Sequence, residues 1–539
     1  MTTRRPDEGE AERVAVDAES GAGQAMDRGA HAEAGGAPVP GDPIREALGT
    51  VMDPELGVDI VSLGLITAVE VTDADGGEGR GSGGVYVRLR PTSPSCPVGD
   101  TLRREAQAAV EAAVGPGVPV RVELDRGLGA AGAAPVSRLG VAVGGGAEAQ
   151  ATAALGAPRV GLLAEGPRGA LWRAPFLAVG LATLVVGVIA GLARAGAGWN
   201  LPVPGWIANH GALMVSGFLG TVIGLERAVG VGWRWSWAVP ILAALGALAL
   251  VVGAPEPIAP ALFTAASLAL VGVYGAVLSR RPSGASAVEA SGALAWAIGS
   301  GVWLGGASFY AVVPWWIAFL VLIIVGERVE LSRQVRVAEG RAGVSPAVHL
   351  LLPFGALAMY TAGLAALVFP AAWPPIMGAG LVALAAWLWT ADAALRTVRR
   401  PGLPRFAALC LVSGYAWVTL AAVLLIVEEV PPSGLVYDAT LHALFVGFVI
   451  AMIFGHAPII FPAILRRPIP FTRWFYLHLI LLEMGLLMRV GGGLAGNQGL
   501  RLGGAHAQAT ALGVFLALTV LAALTARKPQ NAPPRGAVP

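Results

Sequence analysis

From about residue 170 onward the chain is a succession of apolar runs, each about 20 residues long and separated by short polar stretches. A run of that length crosses a hydrocarbon core of roughly 30 Å. Twelve fall between residues 174 and 526, the second at 206 to 226, the fifth at 286 to 306 and the tenth at 436 to 463. The earlier part of the chain has a different pattern. Asp42 and Pro43 open a short helix whose apolar stripe is Ile44, Leu48 and Val51. Apolar and polar positions then alternate through Leu65 to Val71, Val85 to Leu89 and Val118 to Leu124, the period of half-buried strands, and a helix is predicted from Gly99 to Val114. The order is helix, strand, strand, helix, strand.

These patterns divide the chain into a disordered tail (1–40), a small α+β domain (41–126), a Gly/Ala-rich linker (127–170), a twelve-helix transmembrane domain (171–527) and a second disordered tail (528–539). The predicted fold class is an all-α polytopic membrane bundle of about twelve helices with a small N-terminal α+β domain. Composition agrees: of 539 residues 55% are apolar and only 13% charged, and the mean hydropathy of +0.66 is beyond what a soluble globular protein carries.

Charge sets the expected orientation. No apolar segment in the first thirty residues suggests a secretory signal, so the N-terminus is expected in the cytosol. The cytoplasmic loops and flanks then hold 21 of the positive charges of the membrane half and the opposite side 3, Arg194, Arg489 and Arg501. The expected setting is the lipid bilayer of the cytoplasmic (inner) membrane, crossed many times, with both termini cytosolic. A net charge of +2 without a dense basic face argues against nucleic-acid binding. Two distant cysteines, Cys96 and Cys410, exclude a disulfide framework.

Candidate chemistry lies in both halves. His210 near the start of the second run, His442 near the start of the tenth and His506 near the start of the twelfth fall in one layer near the outer face. Imidazoles from separate helices meeting in an apolar bundle suit ligation of a haem iron or of copper. The same positions suit interfacial residues bonded to water or to backbone carbonyls, and both readings stand. His456 lies deeper on the tenth run and, with His478 and Glu483, forms either a polar path or a satisfied buried network. Glu226 with Arg227 and Glu327 with Arg328 end the second and sixth runs, where they read as ion pairs locking the bundle. In the small domain Cys96 enters a helix, where the N-terminal dipole favours a thiolate, a soft ligand for iron. One cysteine cannot hold a cluster. The missing ligands would come from Asp53 or Glu55, from a second copy in a homodimer formed through this domain, or from a client protein.

Two stretches, Val51-Met52-Asp53-Pro54-Glu55-Leu56-Gly57-Val58-Asp59-Ile60-Val61-Ser62-Leu63-Gly64-Leu65-Ile66 and Thr92-Ser93-Pro94-Ser95-Cys96-Pro97, resemble the iron-sulfur cluster assembly family that includes PaaD and SufT. The resemblance implies an α+β fold, cluster assembly or transfer with Cys96 at the family's cysteine, transient binding of iron or a cluster there, and iron-sulfur clients or assembly proteins as partners. The further cysteines of PaaD proteins are absent. In the membrane half, Asn209-His210-Gly211-Ala212-Leu213-Met214, Leu441-His442-Ala443-Leu444-Phe445 and Phe454-Gly455-His456-Ala457-Pro458 resemble, more loosely, NnrS-like proteins and subunit I of haem-copper oxidases. That resemblance implies haem ligation by His210 and His442. It does not extend to an oxidase copper centre, whose histidines are missing from the sixth and seventh runs.

The expected protein is a haem- or copper-binding, NnrS-like membrane protein coupled to an iron-sulfur assembly domain, acting under nitric oxide or redox stress. Whether it is an enzyme stays open. The alternatives are a membrane-anchored assembly factor and a transporter without a cofactor.

Overall fold

The computed structural model describes residues 41–72, 84–94, 96–127, 172–428 and 433–526. The expected tails at 1–40 and 528–539 and almost the whole linker lie outside the described residues.

The small domain runs α1 (Gly41–Leu48), β1 (Ile66–Thr72), β2 (Gly84–Leu89), α2 (Gly99–Val114) and β3 (Val120–Leu124). β1 pairs antiparallel with β2, and β2 pairs parallel with β3, so that Val87 lies opposite Val69 on one side and Val122 on the other. A parallel pair needs a long crossover, which α2 supplies. Val85, Val87 and Leu89 are buried at every second position of β2, and Leu102, Ala106 and Val110 at helical spacing on α2 join the same core. Val118, expected within the third strand, stands exposed ahead of it, because the turn through Gly115 and Gly117 delays the strand to Val120.

Twelve long helices follow: α3 (Ala174–Ala195), α4 (His210–Val231), α5 (Trp235–Val252), α6 (Ile258–Arg280), α7 (Gly284–Leu304), α8 (Phe309–Ala338), α9 (Pro346–Val368), α10 (Trp373–Ala391), α11 (Leu403–Val427), α12 (Leu435–Leu465), α13 (Phe475–Leu494) and α14 (Gln498–Thr525). All but α7 are long and apolar enough to cross a membrane. The expected fifth span is a helix, but Ser286, Glu289, Ser291 and Ser300 dilute its apolar character. It packs against α6 and α8. Every residue of α8 from Ala311 to Gly326 is buried, as a helix apolar on all sides must be when it runs through the centre of a bundle.

The domain does not close its core alone. Val335 of α8, Ala407 of α11, Ile459 and Ala463 of α12 and Ala393 pack in one apolar cluster with Leu56, Ile60, Leu63 and Val98. The domain is therefore seated on one end of the bundle by ordinary hydrophobic burial.

Candidate functional site

The turn Asp53-Pro54-Glu55-Leu56-Gly57 builds the seam between domain and bundle. Asp53 is buried, and its Oδ1 accepts the backbone N–H groups of Glu55 and Leu56, both at 2.9 Å, which fixes the turn and turns Glu55 toward the bundle. There Glu55 Oε1 meets Arg328 Nη1 of α8 and lies 3.2 Å from His456 Nε2 of α12. Arg328 is buried and bonded by Nε and Nη2 to Asp392, at 2.9 and 3.2 Å. His456 Nδ1 lies 2.8 Å from the Met452 carbonyl, so both ring nitrogens face oxygen. Arg400 donates to the Gly57 carbonyl at 2.7 Å, a second tie across the seam.

The seam encloses a cavity of about 60 Å³, lined from the domain by Asp53, Glu55 and Cys96 and from the bundle by Glu226, Arg227, Glu289, Glu327, Glu330 and His456, among others. Charge in this space alters its acids. Burial opposes ionisation of Glu55, yet His456 and Arg328 together hold its carboxyl down to about 2. Burial, aided by the Glu55 carboxylate, pushes Asp53 up to about 6. Burial, with Asp53 beside it, also pushes the Cys96 thiol up to about 11. The helix entrance therefore does not favour a thiolate as expected, because the bundle removes Cys96 from water and a carboxylate opposes its charge. The face that carries Glu55 and Cys96 meets the chain's own bundle, which occupies the place considered for a second copy.

The end-of-helix ion pairs form with exchanged partners. Arg227 bonds Glu327 of α8 as well as its neighbour Glu226, while Arg328 bonds Glu55 and Asp392. His478 is packed edge-on against Phe406 and Phe454, and Glu483 accepts from Trp417 at 2.6 Å. Among the described residues no hydrogen bond joins either of them to His456.

Toward the other end of the bundle, α4 and α12 bring His210 and His442 together. Their ring centres lie 6.4 Å apart and their planes are 12° from parallel. His210 Nδ1 is 2.7 Å from the Gly187 carbonyl, and His442 Nδ1 is 2.7 Å from that of Asp438. In each ring Nδ1–H donates, leaving Nε2 with its lone pair, the arrangement typical of metal-ligating histidine. The two rings border cavities of about 440 Å³ and about 140 Å³. Within three residues of each histidine the helix widens into a π-helical stretch, Leu213–Leu219 and Ala443–Ile450. Such stretches are frequent at functional sites. Gly191 gives His210 its room, since a Cβ there would stand 2.7 Å from the ring's Cε1.

His506 does not join them. It is exposed, bonds the Leu502 carbonyl in its own helix and rests edge-on against Trp199. The sequence reading missed the polar wall of this pocket. Asp438 takes Arg489 through two bonds of 3.0 and 2.8 Å, and Arg501 lies 3.5 Å away. Its position four residues before His442 was the available signal, since residues at that helical spacing share a face. Gln508 Nε2 and Trp316 Nε1, both buried on residues lining the cavities, have no hydrogen-bond partner among the described residues. Nor, among them, are three His, Cys, Asp or Glu side chains arranged to hold a bare metal ion.

Two family models match the chain. Residues 173–524 match the family described as a domain of unknown function (DUF8744). Residues 42–124 match the model of an iron-sulfur cluster assembly protein. Neither match supports the NnrS-like resemblance. No curated protein and no solved structure matches the chain. The first match spans well over half of the sequence, and the chain belongs to that family.

Proposed function

We propose for this member of the DUF8744 family a membrane-bound iron-sulfur assembly protein whose assembly domain works while seated on the bundle, and whose bundle carries a haem between His210 and His442. The observation that carries the reading is the seat itself. Glu55 bonds Arg328 and His456, so Cys96 opens into a cavity walled by both halves of the protein. A domain merely tethered by a linker needs no such shared space.

The residues of the second pocket suit a haem. His210 and His442, from separate helices with ring centres 6.4 Å apart, would hold the iron through their Nε2 atoms. A bare copper ion would need further ligands from the protein, whereas haem supplies four nitrogens of its own. The unpartnered N–H groups of Gln508 and Trp316 and the guanidinium of Arg489 are donors for the carboxylates of such a ligand. When bound, the group would supply one-electron chemistry. The chain's own residues orient the two rings through Gly187 and Asp438 and exclude water with the apolar wall of α4, α8 and α12.

Absorption spectra of the purified full-length protein, oxidised and reduced, test the haem. Transfer of iron or a cluster to an acceptor protein, lost in Cys96→Ala with the fold intact, tests the assembly role. Transfer at the wild-type rate in that variant would reduce the thiol to packing.

A further inference from the structure

A second cavity, of about 240 Å³, lies at the same seam. Its walls are the loop Arg281-Pro282, the first two turns of α7, Glu330 and Arg333 of α8, and Ser93 and Pro94 of the assembly domain. They carry two cations and two anions. Arg333 and Glu330 satisfy each other at 2.7 Å. That leaves Arg281 and Glu289, a guanidinium and a carboxylate that are not bonded to each other.

Neither side chain has a hydrogen bond or an ion pair among the described residues. Glu289 is 3% exposed. Arg227 acts on it only through space, being bonded to Glu226 and Glu327. Arg281 Nη1 is likewise buried, with no acceptor among the described residues. A buried charge of either sign is costly without a counter-charge. A cavity that keeps one of each is suited to a ligand that brings both.

The helix sets the interval between the two charges. Ser283 caps α7, its Oγ accepting the Ser286 N–H at 3.0 Å, and the N–H groups of Gly284 and Ala285 end the helix beside Arg281, adding the positive end of its dipole. Ser283, Ser286 and Glu289 follow three residues apart and so share one face. Glu289 lies five residues beyond Gly284, about 7.5 Å along the axis. An α-amino acid bridges an interval of that size with one bond of about 2.8 Å at each end. Gly326 of α8 makes room for the acid, since a Cβ there would lie 2.5 Å from Glu289 Cγ.

We propose that this cavity binds a small α-amino acid as its zwitterion, with the carboxylate at Arg281 and the N-terminus of α7 and the ammonium on Glu289. The two arginines and two glutamates of the lining cancel, which suits a ligand of no net charge and disfavours a lone anion or a metal ion. The volume holds on the order of eight waters at about 30 Å³ each, enough for a short side chain. Ser93 closes the cavity from the domain, and its carbonyl accepts the Cys96 N–H at 3.0 Å. The domain thus forms one wall of the site with the turn that carries its thiol. The site uses neither the imidazole pair nor chemistry at Cys96, so it stands apart from the function proposed above.

Calorimetric titration of the full-length protein with L-alanine, L-serine and L-cysteine tests the site, and one molecule per chain is expected for each. L-Serine methyl ester lacks the carboxylate and N-acetyl-L-serine lacks the ammonium. Each should bind at least about tenfold more weakly than L-serine. Glu289→Gln and Arg281→Gln should weaken L-serine by a similar factor with unchanged circular dichroism, and Glu289→Asp and Arg281→Lys by less. If a variant fails to fold, the two serine derivatives decide. No binding of any of the three amino acids at millimolar concentration, or equal affinity for L-serine and its methyl ester, overturns the site and leaves a cavity filled by water. Wild-type affinity in both glutamine variants does the same.

Discussion

Glu55 and His456 lie 401 positions apart in sequence, yet their side chains meet at 3.2 Å across the seam between the assembly domain and the membrane bundle. Arg328 shares the same carboxylate oxygen. The contact depends on a turn set by Asp53 on one side and on Asp392 holding Arg328 on the other, so five residues from four parts of the chain specify one seat.

Removing Glu55 should loosen that seat. Truncating one member of a buried ion pair costs roughly 3 kcal/mol or more, although Asp392 still neutralises Arg328. Glu55→Ala is expected to lower the melting temperature and to expose Cys96, which a maleimide should then label much faster than in the wild type. Cys410, wholly buried in the bundle, should stay protected. Equal labelling in both proteins would show that Glu55 does not hold the domain down.

The two acids of the turn give opposite dependences on pH. Glu55 titrates in the folded protein at about 2, below its usual 4.5, so its stabilisation is complete above about 4.5 and is lost as the pH falls toward 2. Asp53 titrates at about 6, above its usual 3.8, so its contribution is complete below 3.8 and is lost as the pH rises through 6. For metal-free protein, Asp53→Asn should remove the upper dependence and raise stability at pH 7 by about 2 to 3 kcal/mol. Melting curves at pH 5 and pH 7 check this; a variant that melts below the wild type at pH 7 would contradict it.

The imidazole pair should govern the haem spectrum. His210→Ala and His442→Ala are each expected to abolish the low-spin bands of the reduced protein. Gly191→Ala should do so without touching a ligand, because the added Cβ would stand 2.7 Å from the His210 ring. His506→Ala, altering an exposed ring outside the pocket, should leave the spectrum unchanged. Full bands in both ligand variants would refute the assignment.

The elements and the membrane runs were legible because each rests on a local pattern. Period-two alternation marked Val85, Val87 and Leu89, and apolar runs marked the long helices. The convergence of His210 and His442 was legible through depth, since in the apolar runs that begin at 206 and 436 each lies within two turns of the same end. Depth says nothing about azimuth, which is why His506 was grouped with them although it faces outward. The seam was not legible. Glu55, Arg328, Asp392 and His456 share no spacing, and a buried ion pair between distant elements leaves no periodic signature. Glu289 was hidden in the same way, as one acid in a small-residue helix whose meaning depends on the cavity beside it.

The central claim is that the assembly domain sits on the bundle, and a cross-link tests it most directly. A Cβ placed at Gly57 would lie 3.4 Å from Cβ of Pro404 at the start of α11, close to the separation of about 3.8 Å across a disulfide. Gly57 has φ of +61°, so the new side chain is mildly strained, but the reach is right. With Cys96 and Cys410 replaced by serine, Gly57→Cys combined with Pro404→Cys should form a disulfide in membranes under mild oxidation, in high yield. Either cysteine alone should form none. Failure of the double variant to cross-link, while both single variants express and fold, would mean that the domain and the bundle do not share a seam.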